Sequence, residues 1–214
     1  MNDSNDVILD DLEIDTFKEI MNIAFGSAAA SLSDIINVYV VLSVPNVKIM
    51  KSAEIADYIK SEAKACGYNN LVEQSFIGNY RGVALSIFPC GSERELLSIF
   101  NPDKESYIES DPLNELEMEI LKEVGNILIG SCVGKMVELL KESVTFSPPR
   151  FIRGDILQNI SLGDAFDSDH WAIIMKTVFH FEEKNISSYL FLINSHEVTA
   201  SLKKALRNFW KEYE

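Results

Sequence analysis

The stretch DLEIDTFKEIMNIAFGSAAASLSDIINVYVVLSVPNV, residues 11–47, lies without a gap over ELEMEILKEVGNILIGSCVGKMVELLKESVTFSPPRF, residues 115–151, at a constant offset of 104. Identities fall at Leu12/Leu116, Glu13/Glu117, Lys18/Lys122, Glu19/Glu123, Asn22/Asn126, Ile23/Ile127, Gly26/Gly130, Ser27/Ser131, Val40/Val144, Ser43/Ser147 and Pro45/Pro149, which is 11 of 37 positions. At ordinary residue usage, accident would supply about two. The pairs Asp15/Glu119, Ile14/Met118, Asp34/Glu138 and Ile35/Leu139 keep their character. The chain reads as an internal duplication, and that decides its fold class. Further along, Val83–Phe88 and Ser188–Ile193 match at an offset near 105; each is strand-like, follows another strand and precedes a helix.

Each copy opens with a long helix. Asp10 or Asp11 caps the first, and Asp111-Pro112 caps the second with proline at the first helical position. At 100° per residue, Phe17, Met21, Ala24, Ala28, Leu32 and Ile35 form one apolar stripe, repeated by Leu121, Gly125, Leu128, Cys132, Met136 and Leu139. Val38–Met50 and Val144–Ile152 are β-rich, with prolines near their middles that demand a bend or a sheet edge. Ser52–Cys66 reads as a helix stopped by Gly67. Leu71–Gly78 with Gly82–Phe88, and Trp171–Phe181 with Ile186–Ile193, read as hairpins, and Ser92–Phe100 and His196–Trp210 as closing helices. The expected architecture is a single α+β domain over residues 1–214, with repeats at about 11–100 and 115–210. About six antiparallel strands related by a pseudo-twofold axis carry the long helices.

Composition narrows the function. The 214 residues carry 19 basic and 33 acidic side chains, a net charge of −14, which disfavours nucleic acid and anionic membrane as partners. Three scattered cysteines (Cys66, Cys90 and Cys132) form no disulfide frame or zinc pattern. The acidic N-terminus is unlike a secretory signal, and the longest uncharged runs fall short of the roughly 20 residues that span a bilayer. The expected location is cytoplasmic.

The outer face of the helices carries the candidate chemistry. Asp15, Glu19, Asn22 and Gly26 are spaced 4, 3 and 4 apart and share one face nearly opposite the apolar stripe; Glu119, Glu123, Asn126 and Gly130 repeat them. A lone Glu-x-x-Asn on an outer face is ordinary solvated surface. Its repetition, together with a mid-helix glycine that costs about 1 kcal/mol relative to alanine, favours a working surface that something approaches closely. No nucleophile with a supporting base, no metal-ligand cluster and no phosphate loop accompanies it, and His170, His180 and His196 stand apart from the carboxylates. A carboxylate and an amide can hold a water and grip a cation while a partner supplies the electrophile.

Asp15-Thr-Phe-Lys-Glu19-Ile-Met-Asn22 resembles the D/S-x-x-x-E-x-x-N signature of the CheC family of chemotaxis phosphatases, and Ala29–Asp34 with Val40–Pro45 resembles that family's first repeat. The resemblance implies an enzyme that removes phosphate from the aspartate of a CheY-like response regulator. It implies that Asn22 and Asn126 orient the attacking water and that Glu19 and Glu123 engage a lysine of the regulator. Asp15, Glu119, Gly26 and Gly130 would support them. No cofactor or metal is then expected on this chain, the magnesium staying with the regulator; the receptor deamidase CheD is a second partner known to the family. Glu119 departs from the signature, standing where Asp or Ser is usual, so the first column is expected to be the stronger. Two motifs in one chain argue against the single-site CheX proteins, and the lack of an appended switch domain argues against FliY. The alternative is a non-catalytic module that binds a receiver domain or CheD. Association with the regulator should weaken as salt rises, because acidic columns on a strongly acidic chain act through a field screened over about 10 Å at 0.1 M salt. Titration of regulator at low and high ionic strength measures this, and a flat affinity would exclude docking through these columns.

Overall fold

Asp10 starts the first long helix. Its side chain accepts the Glu13 backbone N–H at 2.8 Å, and the Glu13 carboxylate accepts the Asp10 N–H at 3.0 Å, a reciprocal capping box. The helix runs over Asp11–Ile36 (α1) and ends at Asn37, which adopts the left-handed conformation with φ 53°. The computed structural model describes residues 9–64, 68–100, 115–153, 170–182, 186–195 and 198–213. The second cap at Asp111-Pro112, the inter-repeat linker, Cys66 and His196 lie outside them.

Among the described residues the remaining elements are β1 (Val40–Leu42), β2 (Asn46–Lys51), α2 (Ser52–Lys64), β3 (Tyr68–Gly78), β4 (Gly82–Pro89), α3 (Ser92–Phe100), α4 (Glu115–Leu139), β5 (Val144–Phe146), β6 (Arg150–Arg153), β7 (Trp171–Phe181), β8 (Ile186–Ser195) and α5 (Thr199–Tyr213). The strands form one antiparallel sheet six positions wide, in the order β1-β7-β8-β4-β3-β5, with β2 sharing β1's edge and β6 sharing β5's. The fold is α+β, as the repeat implied.

The edges are exchanged between the halves. β1 and β2 of the first half pair with β7 of the second, and β5 and β6 of the second pair with β3 of the first. Val40 lies opposite Phe181, as its counterpart Val144 lies opposite Gly78. The prolines do what their chemistry requires: Pro45 separates β1 from β2, and Pro148-Pro149 separates β5 from β6. At each break a repeated serine clamps the crossing. Ser43 accepts the Val178 N–H on its hydroxyl at 2.9 Å, and Ser147 accepts the Ser75 N–H at 3.0 Å.

One face of the sheet, including Val72, Phe76, Phe88, Met175, Phe179 and Leu192, packs under the long helices and both closing helices. The other face, including Leu71, Leu85, Ile174 and Ile193, is covered by Ile55, Ile59 and Ala63 of α2. The apolar stripe holds for Phe17, Met21, Ala24, Ala28 and Leu32, all buried, but not for Ile35, which is 56% exposed. Ile36 is buried in its place, because the helix ends there and the chain turns toward β1. In α4, Leu139 is likewise only half-buried while Leu140 is buried.

The repeated Glu13 and Glu117, which the sequence presents as two more identities, are buried carboxylates. Glu13 accepts from Arg207 of α5 at 3.0 Å with Lys203 at 4.0 Å, and Glu117 meets Arg94 of α3 at 3.7 Å. Each closing helix is thus tied to the start of a long helix by a charge that water cannot reach freely. Gly125 marks a close approach of α4 to the sheet, since a Cβ there would stand 2.8 Å from Val72. Gly125→Ala should therefore destabilise the protein by about 1–3 kcal/mol, the usual penalty of overpacking against a stiff β-branched neighbour. Denaturant unfolding measures it, and an unchanged midpoint would show that α4 can back away from β3.

Candidate functional site

Helix period and core packing place the two columns. Because α1 buries its stripe against the sheet and α4, Asp15, Glu19, Asn22 and Gly26 all stand exposed on the opposite side. On α4, Glu119 and Glu123 are exposed, whereas Asn126 and Gly130 are half-buried. The sequence places both columns on the outer faces of their helices; the second leans inward at its amide end.

The leading carboxylates are already occupied. Lys18 donates to Asp15 at 2.9 Å, and Lys122 forms the matching ion pair with Glu119. Both pairs are one helical turn long and largely exposed, so each contributes little to stability. They do take up the charge of Asp15 and Glu119. Glu19 and Glu123 have no ion-pair partner among the described residues and are the acids left to meet a cation from outside.

The two asparagines differ. Asn22 is exposed and has no hydrogen bond to a described residue. Asn126 accepts a hydrogen bond on Oδ1 from the buried Gln74 Nε2 at 3.1 Å. Gln74 donates with the same nitrogen to the Ser147 carbonyl at 2.8 Å. Sequence reasoning passed over Gln74 because it sits in a strand that reads as core; the polar residue inside an apolar alternation was the available signal.

A Cβ added at Gly26 or Gly130 would meet nothing within 4 Å. Neither glycine is there for internal packing, in contrast to Gly125. Cys132, in the middle of α4, is fully buried, and desolvation pushes its thiol pKa well up, so it is no nucleophile. His180 bonds Ser187 at 2.6 Å on the β7–β8 hairpin, away from both columns. No group of three His, Cys, Asp or Glu among the described residues is placed to hold a metal ion, and no helix there is long and apolar enough to cross a membrane. A cavity of about 390 Å³ opens between the end of α4 and α5, and an apolar one of about 240 Å³ between the start of α1 and α5; neither is lined by a column residue. The columns are open faces, suited to a macromolecular partner.

Residues 12–49, which contain the whole first column, β1 and most of β2, match the CheC-like family. Over this stretch the chain is similar to that family. It is 25% identical over 142 residues to the flagellar motor switch phosphatase FliY of Bacillus subtilis (strain 168), a match that covers 66% of this chain and 36% of that protein. The chain thus aligns with only about a third of this curated relative. Among solved structures, Thermotoga maritima FliY superposes with a TM-score of 0.68 at 19% identity, covering 94% of this chain and 98% of that one. The CheX of a CheX-CheY-BeF3-Mg complex from Borrelia burgdorferi gives 0.51 at 20% identity, over 80% of this chain and 96% of that one. The FliM middle domain from H. pylori gives 0.60 at 8% identity, over 93% and 99%. The sequence similarity is thus to the CheC-like family in residues 12–49 and to FliY over 142 residues, and the fold is that of the FliY, CheX and FliM structures.

Without internal contacts to protect, Gly26→Ala and Gly130→Ala should each leave folding intact or stabilise it by up to about 1 kcal/mol, the helix propensity difference. Thermal melts of the two variants check this. A lowered midpoint would mean that the glycines serve the fold and not an approaching surface.

Proposed function

We propose that this chain is a protein aspartyl-phosphate phosphatase that dephosphorylates a CheY-like response regulator. The observation that carries the reading is the doubled Glu-x-x-Asn column, turned outward on two helices whose other sides are committed to the core. In this reading the regulator docks against one column at a time. Glu19 or Glu123, whose charge no cation of the described residues takes up, pairs with a lysine beside the phosphorylated aspartate. Asn22 or Asn126 holds a water in line with the phosphorus. Water attacks, the aspartate carboxylate leaves, and inorganic phosphate is released. A prepositioned water reacts without first being ordered, which is the part of the barrier an amide can remove.

The same surface explains the division of labour. A carboxylate and an amide one turn apart on one helix present too few converging oxygens for a dedicated magnesium site. The metal needed to neutralise the phosphoryl group belongs to the regulator in this scheme, and the glycine end of each column leaves room for the regulator's backbone. The FliY similarity supports the reading, since that relative carries the name phosphatase, and so does the CheX fold seen bound to CheY.

Asn22→Ala and Asn126→Ala should each remove part of the activity, and the double substitution nearly all of it, with a loss per site of about 10²–10³. Phosphate release from phosphorylated regulator by the folded variants is the measurement. Wild-type turnover by the double variant would discard the catalytic role; regulator binding without any turnover by the wild type would instead make the chain a holding module for a receiver domain.

A further inference from the structure

We propose that Gln74 is a positioning residue for Asn126 and that it makes the second column the faster of the two sites; the inference rests on the phosphatase reading above. Gln74 is 4% exposed on β3, with its amide turned toward α4. The two hydrogens of Nε2 go to the Ser147 carbonyl at 2.8 Å and to Asn126 Oδ1 at 3.1 Å. A backbone carbonyl can only accept, so the Gln74 amide cannot be flipped without setting oxygen against oxygen. That fixes the second amide as well. Asn126 must offer Oδ1 to Gln74, which leaves its NH₂ and one oxygen lone pair for a water outside.

The oxygen of Gln74 is buried and has no hydrogen-bond partner among the described residues. An unpaired buried acceptor is costly and calls for an explanation. Holding Asn126 and Ser147 with one nitrogen supplies it, because the oxygen then has nowhere else to go.

The other half lacks this arm. Thr177 precedes Val178, whose N–H is clamped by Ser43, just as Gln74 precedes Ser75, whose N–H is clamped by Ser147. Thr177 donates its hydroxyl to the Ser43 carbonyl at 2.7 Å, repeating the Gln74–Ser147 bond. It has no second donor and no length to reach α1, and Asn22 has no hydrogen bond to a described residue. Asn22 must lose rotamer freedom each time a regulator docks; Asn126 has lost it on folding. This reverses the ranking that the leading acids Asp15 and Glu119 suggest.

The two backgrounds Asn22→Ala, in which the second column works alone, and Asn126→Ala, in which the first does, separate positioning from general damage. In Asn22→Ala, Gln74→Thr should lower kcat about two- to tenfold, the range of one ordinary hydrogen bond, with KM for phosphorylated regulator unchanged. Threonine installs the residue of the other half and keeps a donor for Ser147 while releasing Asn126. In Asn126→Ala, the same change should leave kcat and KM as they were, which also reports that the protein is folded. Comparison of the two backgrounds should show the higher kcat for the second column alone. Equal losses in both backgrounds, or no loss in either while the asparagine variants themselves lose activity, would overturn the positioning role and leave the phosphatase reading standing. Wild-type turnover by the asparagine variants would remove both.

Discussion

The structure depends on an exchange of sheet edges. β3 and β7 each carry a row of backbone donors and acceptors that the hairpin partner leaves open, and each is closed by two short strands from the opposite half. An open edge is a template for unwanted pairing, so closure is needed for solubility as well as stability. The proline between each pair of short strands breaks the ladder, and the serine before it restores a hydrogen bond across the break. Everything else is arranged around that crossing. The long helices lie over the face it creates, and the closing helices are tied to their first turns through Glu13 and Glu117.

This arrangement explains why the columns are paired surfaces and not a pocket. A helix of 26 residues that buries one side against a sheet must leave the other side to water. Two such helices packed on the same sheet face give two open faces. Rigidity matters more for an amide that holds a water than for a side chain that merely binds, because the benefit of positioning is lost within about 1 Å. The backing of Asn126 by a buried side chain from the facing strand is the clearest case of the core reaching through a helix to set the geometry on its surface.

Much of this was legible in the sequence. The α+β class was readable from the offset of 104, a cap at Asp10 or Asp11 was expected and Asp10 supplies it, and the 3.6-residue stripe separated core from column for nearly every residue. Four features were not. Which half each short strand joins is invisible to a repeat comparison, since the pattern Val-x-x-Ser-x-Pro is satisfied equally by pairing within a half or across. Ile35 was read as core because periodicity extends past the point where a helix ends and the chain turns. Glu13 and Glu117 were read simply as identities; their burial depends on arginines from helices far along the chain, which no local pattern links to them. Gln74 was hidden for the same reason, its two partners lying on α4 and at the β5–β6 break.

The exchanged edges also set an order of events in making the protein. β1 and β2 leave the ribosome early, yet the strand they must join, β7, is among the last to be synthesised. Neither half can complete its sheet alone, and pairings this distant in sequence are slow to close. Until they do, a nascent chain carries unfinished edges and the apolar side chains of Val40, Leu42 and Ile49 without their cover. The exchange that closes both sheet edges therefore makes the newborn chain dependent on protection until nearly its whole length is available.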